Sequence, residues 1–347
     1  MSSKAPTFGE AALDTNGPVT TALVVGLGAV GTRAARQLVD TPGIDRLLLA
    51  DRDQSQLAEI AIAFGPDAQA VDFAPGDPIP ADVDVVVTAL PAGVDHPVVT
   101  AAIAAAVPVA SSEEEHDALE QLRVLDPNAR GAGVAVGIGC GLAPGLVDAL
   151  ARHAASMFDK VDEIRVARTG WAGPASVATV RYERRVPVRT WHDGTWREDH
   201  PHGDSLVWFP EPIGARDCRT VTGATALLVD AFPDVARIGV QLGEPPKRAR
   251  LRRRFGDEGE WGAARVEVWG RRDGSFDCTV YGVVERTAVA AGAVLAVVAA
   301  RLAGALEPRL DQPGVHGLGS LLDPVPFLAE LAQRGVRAAA FEGVAVA

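Results

Sequence analysis

From Thr21 onward, short apolar runs alternate with stretches of helical period, the pattern of strand–helix–strand units around a parallel sheet. Thr21 to Val25, Leu47 to Ala50, Ala68 to Val71, Val83 to Leu90, Val107 to Ala110 and Val134 to Ile138 read as strands. Helices are predicted between them. Gly31 to Val39 ends at Pro42 and Gly43, and Asp53 caps a helix running to Phe64 that Gly65-Pro66 stops; His96 to Ala106 and Asp117 to Leu125 follow.

The texture changes at Val161. Val177, Thr179 and Arg181 alternate with Ala178, Val180 and Tyr182, a period of two that predicts a strand in an antiparallel sheet. Asp193-Gly194 between Trp191 and Trp196 predicts a tight hairpin, and Arg271 to Gly274 joins Ala264–Trp269 to Ser275–Val284 as a second. Thr287 to Leu306 and Pro324 to Arg334 read as helices, with a last strand at Val336 to Phe341.

Composition narrows the class. At 347 residues, with 48% hydrophobic and 22% charged residues, the chain is expected to hold two globular domains. The richest apolar stretch, Ala288 to Ala300, is too short to span a bilayer and is closed by Arg301; Met1 to Pro18 lacks the apolar core of a signal peptide and reads as a loose tail. A net charge of −12 disfavours nucleic acid, which calls for a basic face. The run Lys247 to Arg254 is the local exception, either a solvated connector or a contact for an anion or subunit. Cys140, Cys218 and Cys278 form no C-x-x-C pair, so a reduced, cytoplasmic setting is expected, without a disulfide framework or zinc site.

The chemistry begins at Val24-Val25-Gly26-Leu27-Gly28-Ala29-Val30-Gly31, a G-x-G-x-x-G between a strand and a helix. Gly26 permits the turn, Gly28 admits a phosphate to the backbone, and Gly31 lets helix and strand pack closely; the amides of Leu27, Ala29 and Val30 belong to the same cradle. Asp51, 20 residues after Gly31 at the end of the second strand, suits the ribose hydroxyls of NAD. Arg52 beside it leaves NADP open, should Asp51 turn away from a 2′-phosphate. The expected fold is therefore α/β, a doubly wound Rossmann sheet, with the nicotinamide beyond Ala89-Leu90-Pro91 and Ser111-Ser112-Glu113.

This fingerprint, Ala50-Asp51-Arg52, Thr88-Ala89-Leu90-Pro91 with His96, and Gly141-Leu142-Ala143-Pro144-Gly145-Leu146 together resemble the saccharopine dehydrogenase-like family. The resemblance continues through Trp208–Gly214, the helix from Thr287, and Pro326-Phe327-Leu328 ahead of Gly335-Val336, and is weak from Arg216 to Arg265. It implies a Rossmann domain interrupted by a mixed, largely antiparallel α+β domain, giving expected divisions of 19–143, 144–286 and a returning helical segment 287–347. It also implies NAD(P)-dependent oxidation or reduction of a carbon–nitrogen bond, with a small amine, amino acid or keto acid as substrate and a homodimer as the assembly. Ala143, Val147-Asp148 and Ser111 depart from the acidic residues, and the Asp-His, of saccharopine-specific members, which argues against saccharopine itself.

Such chemistry needs a proton-transfer group and usually a cation for a substrate carboxylate. Glu113 to His116 follow the fifth strand, and Glu113, His116 and Cys140 are the candidates for proton transfer, set against a solvated acidic helix start and, for the cysteine, a packing role. Ser111, Ser112, Pro144, Gly145, Arg168, Trp171 and Arg181 are the candidate substrate contacts, with Pro144-Gly145 also a candidate hinge carrying free amides. Trp191, Trp196 and His192 line a pocket or pack in the core or a dimer face. No nucleophile elbow, H-E-x-x-H pair or Walker loop is present, and His200-Pro201-His202 is too short to argue for metal. A silent cofactor-binding scaffold and an enzyme acting on carbon–oxygen bonds remain the alternatives.

Overall fold

A computed structural model describes residues 19–199, 204–244 and 259–341. The basic run Lys247 to Arg254 and His200-Pro201-His202 lie outside the described residues.

The first half builds β1 (Thr21–Val25), α1 (Ala29–Val39), β2 (Arg46–Ala50), α2 (Gln54–Phe64), β3 (Ala68–Ala70), β4 (Val85–Thr88), α3 (Asp95–Ala104), β5 (Val109–Ser111), α4 (His116–Arg123), α5 (Asp126–Ala132) and β6 (Ala135–Ile138). The strands pair in parallel in the order β3-β2-β1-β4-β5-β6, so the order reverses between β1 and β4, where open α/β sheets bind ligands. Asp53 caps α2 by accepting from the Gln56 amide at 3.1 Å, as the sequence predicts. A short helix, α5, lies where no element is predicted from the sequence; its Pro127 sits in the first turn and Gly133 closes it in a left-handed conformation.

The chain then forms α6 (Leu146–Ala155), β7 (Lys160–Thr169), α7 (Pro174–Glu183), β8 (Val188–His192), β9 (Thr195–Asp199), β10 (Ser205–Trp208), β11 (Ala215–Val221), α8 (Thr225–Ala231), β12 (Arg237–Gly243), β13 (Trp261–Arg272) and β14 (Ser275–Arg286). These strands make a second, mixed sheet, antiparallel except where β12 runs parallel to β7. Both expected hairpins are present. Asp193-Gly194 and Asp273-Gly274 carry φ of 51° and 72°, and 51° and 78°, the positive angles such two-residue turns require.

The alternating stretch around Val177 is not a strand. It is α7, opened by Gly173 as N-cap and Pro174 in the first turn, with Val177, Thr179, Val180 and Glu183 buried. Proline at a first helical turn is a start signal, and it outweighs a six-residue alternation of β-branched and polar residues. Arg181 thereby moves from an expected sheet face to the exposed side of a helix, and Arg184 to its C-cap.

The remaining chain forms α9 (Thr287–Leu302), β15 (Gly314–Gly317), α10 (Leu318–Leu321), α11 (Pro324–Gln333) and β16 (Ala338–Phe341). α9 returns to the first sheet and β15 extends that sheet beside β6, giving it seven strands, one more than the sequence suggests. β16 does not return with them: it pairs antiparallel with β14 on the second sheet.

All of α9 except Val289 is buried. Together with α1 it covers one face of the first sheet, while α3, α4 and α5 cover the other. One apolar cluster runs from Val24 and Leu49 through Leu295 and Leu150 to Val166 and Val266, so the two sheets share a core through α9 and α6. α1 and α9 meet at Gly292, where an added Cβ would stand 2.5 Å from Arg33 Cβ and 2.9 Å from the Ala34 amide nitrogen. Gly292→Ala should therefore cost about 1–3 kcal/mol by overpacking. Gly131→Ala, in an exposed helix where nothing stands within 4 Å, should be neutral or stabilise by about 0.5–1 kcal/mol. Urea unfolding of the two variants checks the contrast.

Candidate functional site

The glycine loop has the geometry its residues predict. Gly26 has a φ of 92°, and a Cβ there would lie 2.4 Å from the Ala89 carbonyl oxygen; at Gly31 a Cβ would lie 1.8 Å from the Gly26 carbonyl oxygen. Both positions are closed to side chains for packing reasons. At Gly28, by contrast, a Cβ would meet nothing within 4 Å. Gly28 is the N-cap of α1, with no side-chain cap and no acidic residue in the first turn. The positive end of the helix is left open toward the cleft, as an anionic ligand requires.

Asp51 stands beside this loop. Its Oδ2 accepts from the Leu27 amide at 2.6 Å and its Oδ1 from the Asp53 amide at 2.9 Å. The carboxylate is thus fixed by two backbone donors rather than free to turn away. Arg52 is exposed beside it.

A cleft of about 140 Å³ separates the two halves. On the first-sheet side it is lined by Gly28, Ala29, Val30, Ala89 and Leu90, then by Ser112, Glu113, Glu114, Gly141 and Leu142. Facing them are Arg168 of β7, the start of α7 with Ser176 and Thr179, and Thr287 and Ala291 of α9. A Cβ on Gly173 would stand 3.6 Å from that of Ala29, so the first turn of α7 sits directly across from the glycine loop. Pro91 is exposed and outside this lining.

Several candidates are already engaged by other groups of the fold. The Glu113 carboxylate is buried and accepts three backbone amides, Gly93 at 2.9 Å, Glu114 at 2.9 Å and Glu115 at 3.0 Å. Burial raises its pKa, and those amides offset only part of the rise. Glu113 fastens the loop after β4 to the loop after β5. The Ser111 hydroxyl donates to Asp95 and accepts from the Glu113 amide, away from the cleft lining. Cys140 is fully buried, its thiol pKa raised by burial, and it packs beside Gly137. Through its amide, His116 donates to Glu183 Oε1 at 2.7 Å.

Pro144 and Gly145 are buried, and the amides that would have been free are used. Gly145 donates to Asp148 Oδ2 at 3.0 Å, Leu146 to the Gly141 carbonyl at 2.9 Å and Val147 to the Leu142 carbonyl at 3.2 Å. This segment is a tight structural turn in place of the expected open amide cradle. Trp171 is buried outside the cleft lining. The hairpin tryptophans Trp191 and Trp196 pack edge to face with centroids 5.5 Å apart, Trp191 and His192 line a separate cavity of about 510 Å³ on the second sheet, and His192 contacts Asp193.

Arg168 is the substrate-side candidate that the fold delivers. It is buried in β7 and its Nη2 lies 3.1 Å from Glu114 Oε2, joining the second sheet to the loop after β5. Behind this pair is a cavity of about 20 Å³ that Arg168 and Glu114 share with Asp148 and Glu183. Glu183, at the end of α7, accepts from the His116 and Gly223 amides and so ties α7 to α4 and to the loop before α8. Ser176, Thr179, Glu183 and Thr287 were not among the sequence candidates. The misread α7 hid the first three, and nothing local marks Thr287.

No family model matches the chain, and no curated protein matches its sequence. Solved structures do share its architecture, and they define the class: two-sheet α/β proteins with a Rossmann half. The particular fold is the saccharopine dehydrogenase-like one. Apo histidine-tagged saccharopine dehydrogenase (L-Glu forming) from Saccharomyces cerevisiae matches over 93% of this chain and 100% of its own, with a TM-score of 0.69 at 16% identity. An engineered D-amino acid dehydrogenase bound to NADP+ matches over 91% of this chain and 99% of its own, with a TM-score of 0.50 at 15% identity.

Burial beneath the cleft perturbs two aspartates. Asp95 accepts the Thr88 and Ser111 hydroxyls, while desolvation and then the Glu113 charge push its pKa up to about 7; Asp148 is pushed up to about 7 by burial, against the Gly145 amide. A carboxyl whose folded pKa lies above its unfolded value holds extra protons in the native state between the two. Stability should therefore fall as pH rises from about 4 through about 7. Asp95→Asn should flatten that fall, read as the difference in urea-unfolding free energy between acid and neutral pH for the variant and the parent chain.

Proposed function

We propose that the chain is an NAD-dependent oxidoreductase that acts on a carbon–nitrogen bond of a small amine, amino acid or keto acid plus amine. The observation that carries this reading is the cleft itself: the open amide end of α1 on one wall, and Arg168 on the other. In this reading the amides of Gly28 to Val30 at the start of α1 hold a pyrophosphate, the Leu27 amide being spent on Asp51 instead, and Asp51 accepts the ribose hydroxyls. Ala89 and Leu90 border the ring, and Ser112 and Arg168 contact the substrate. When bound, the nicotinamide would exchange a hydride with the substrate carbon. The solved dehydrogenases of like fold support the class of reaction, and the NADP+ of the D-amino acid enzyme supports a pyridine nucleotide.

In this reading Asp51 favours NAD over NADP. Its carboxylate would repel a 2′-phosphate, and turning it away breaks two hydrogen bonds from backbone amides, each worth about 1.5–3 kcal/mol for a charged acceptor. NADH should bind at least about tenfold more tightly than NADPH. Asp51→Ala should weaken NADH by about 10- to 100-fold and narrow or invert the preference, with Arg52 left beside the ribose. Fluorescence titration measures both, and turnover against a panel of amino acids, amines and keto acids separates an enzyme from a silent binder. Absence of NADH binding would sink the reading.

For assembly, the proposal is a homodimer through the edge strand β10 of the second sheet, where Leu206 and Trp208 stand exposed at 60% and 62%. Three unpaired cysteines suit a reducing, cytoplasmic setting. Trp208→Glu should shift the mass measured by light scattering from dimer toward monomer while NADH binding persists.

A further inference from the structure

The charges along the cleft are few and specific. Among the described residues that line it, only Glu113, Glu114 and Arg168 are charged. The Glu113 oxygens are committed to the amides of Gly93, Glu114 and Glu115. What remains is one cation and one anion side by side, Arg168 Nη2 and Glu114 Oε2 at 3.1 Å. One comes from the second sheet and the other from the first, so the pair spans the cleft floor.

We propose that Glu114 and Arg168 form a recognition couple for an α-amino acid with an uncharged side chain, or the keto acid and ammonia that correspond to it. The inference rests on the function proposed above and narrows its substrate class. A guanidinium presents donors along two edges, so Arg168 can keep Glu114 on one Nη and receive a carboxylate on the other. The second oxygen of Glu114 is the matching acceptor for an ammonium. An α-amino acid carries its nitrogen and carboxylate on one carbon, so a single small molecule can meet both side chains. Binding then completes a ring of alternating charge, whereas an amine or a carboxylic acid alone engages only one member of the couple.

The rest of the wall fits this assignment. Leu142, Ala172 and Ala175 border the same space, and the hydroxyl residues Ser112, Ser176, Thr179 and Thr287 are its neutral polar side chains. A substrate side chain bearing a further charge meets no partner among these described residues, which separates the expected substrate from diamino and dicarboxylic acids. Glu114 thereby acts as a specificity-determining residue in place of Glu113, which is tied into the loop.

The test uses the full chain loaded with NAD+ and assayed for NADH formation. The probes are L- and D-alanine, valine and leucine, the matched amines ethylamine and isobutylamine, and lysine and glutamate. Neutral α-amino acids of one configuration should turn over with kcat/KM at least tenfold above the matched amines and above lysine and glutamate. Glu114→Gln and Arg168→Lys should each raise KM for the amino acid at least tenfold while the NADH dissociation constant stays within twofold, which a simple loss of folding would not produce. Amines turning over as well as amino acids, a preference for lysine or glutamate, or variants with unchanged KM would overturn the couple and leave the carbon–nitrogen oxidoreductase standing. A chain that binds no NADH, or turns over no probe in either direction, would overturn the reading beneath it as well.

Discussion

The close contact of α9 with α1 is the constraint on which the rest of the molecule depends. α1 begins at the glycine loop, and α9 begins at Thr287 and passes Ala291, both of which line the cleft. The two helices approach until there is no room for a methyl group at Gly292, and a run of alanine and valine fills the seam. Small side chains let backbones come near, and dense contact between them resists sliding. The amide end of α1 is thereby fixed relative to the start of α9, and through β13 and β14 relative to the second sheet. A strand-to-helix turn becomes one wall of a site only because a helix from far along the chain is pressed against it.

Around that frame, charged side chains do the fastening. Glu113 gathers amides from the loops after β4 and β5, Glu183 gathers amides from α4 and the segment before α8, and Arg168 reaches Glu114 across the cleft. Each is buried and each is matched by a donor or an opposite charge, as buried ions must be. Acidic residues that look catalytic in sequence are, for Glu113, a staple. The distinction matters because a carboxylate accepting three amides has little left to offer a substrate, while Glu114, with one cation beside it, has an oxygen to spare.

In the first half of the fold every expected strand and helix was legible, with α5 the element missed. Its strands are buried on both faces and its helices on one, so period and punctuation carry the information, and Asp53, Gly65 and the glycine loop all stand where predicted. The two Asp-Gly hairpins were legible for the same local reason. α7 was not, because six alternating residues fit a strand until Pro174 is weighed as a helix start. β15 was not, because four residues with two glycines gain strand character only from the partner β6.

The sequence by itself determined the turn chemistry, the cofactor fingerprint with its carboxylate at Asp51, and the alternation that makes a parallel sheet, since all of these are settled by residues near one another in the chain. Tertiary structure alone decided which charged groups meet. Arg168 and Glu114 are 54 residues apart, and Glu183 lies 67 residues from His116 and 40 from Gly223. No periodicity encodes such pairings, because they depend on how two sheets are set by α9 and α6 rather than on any local conformational preference. The glycine loop could be read from the chain, but the wall it faces could not.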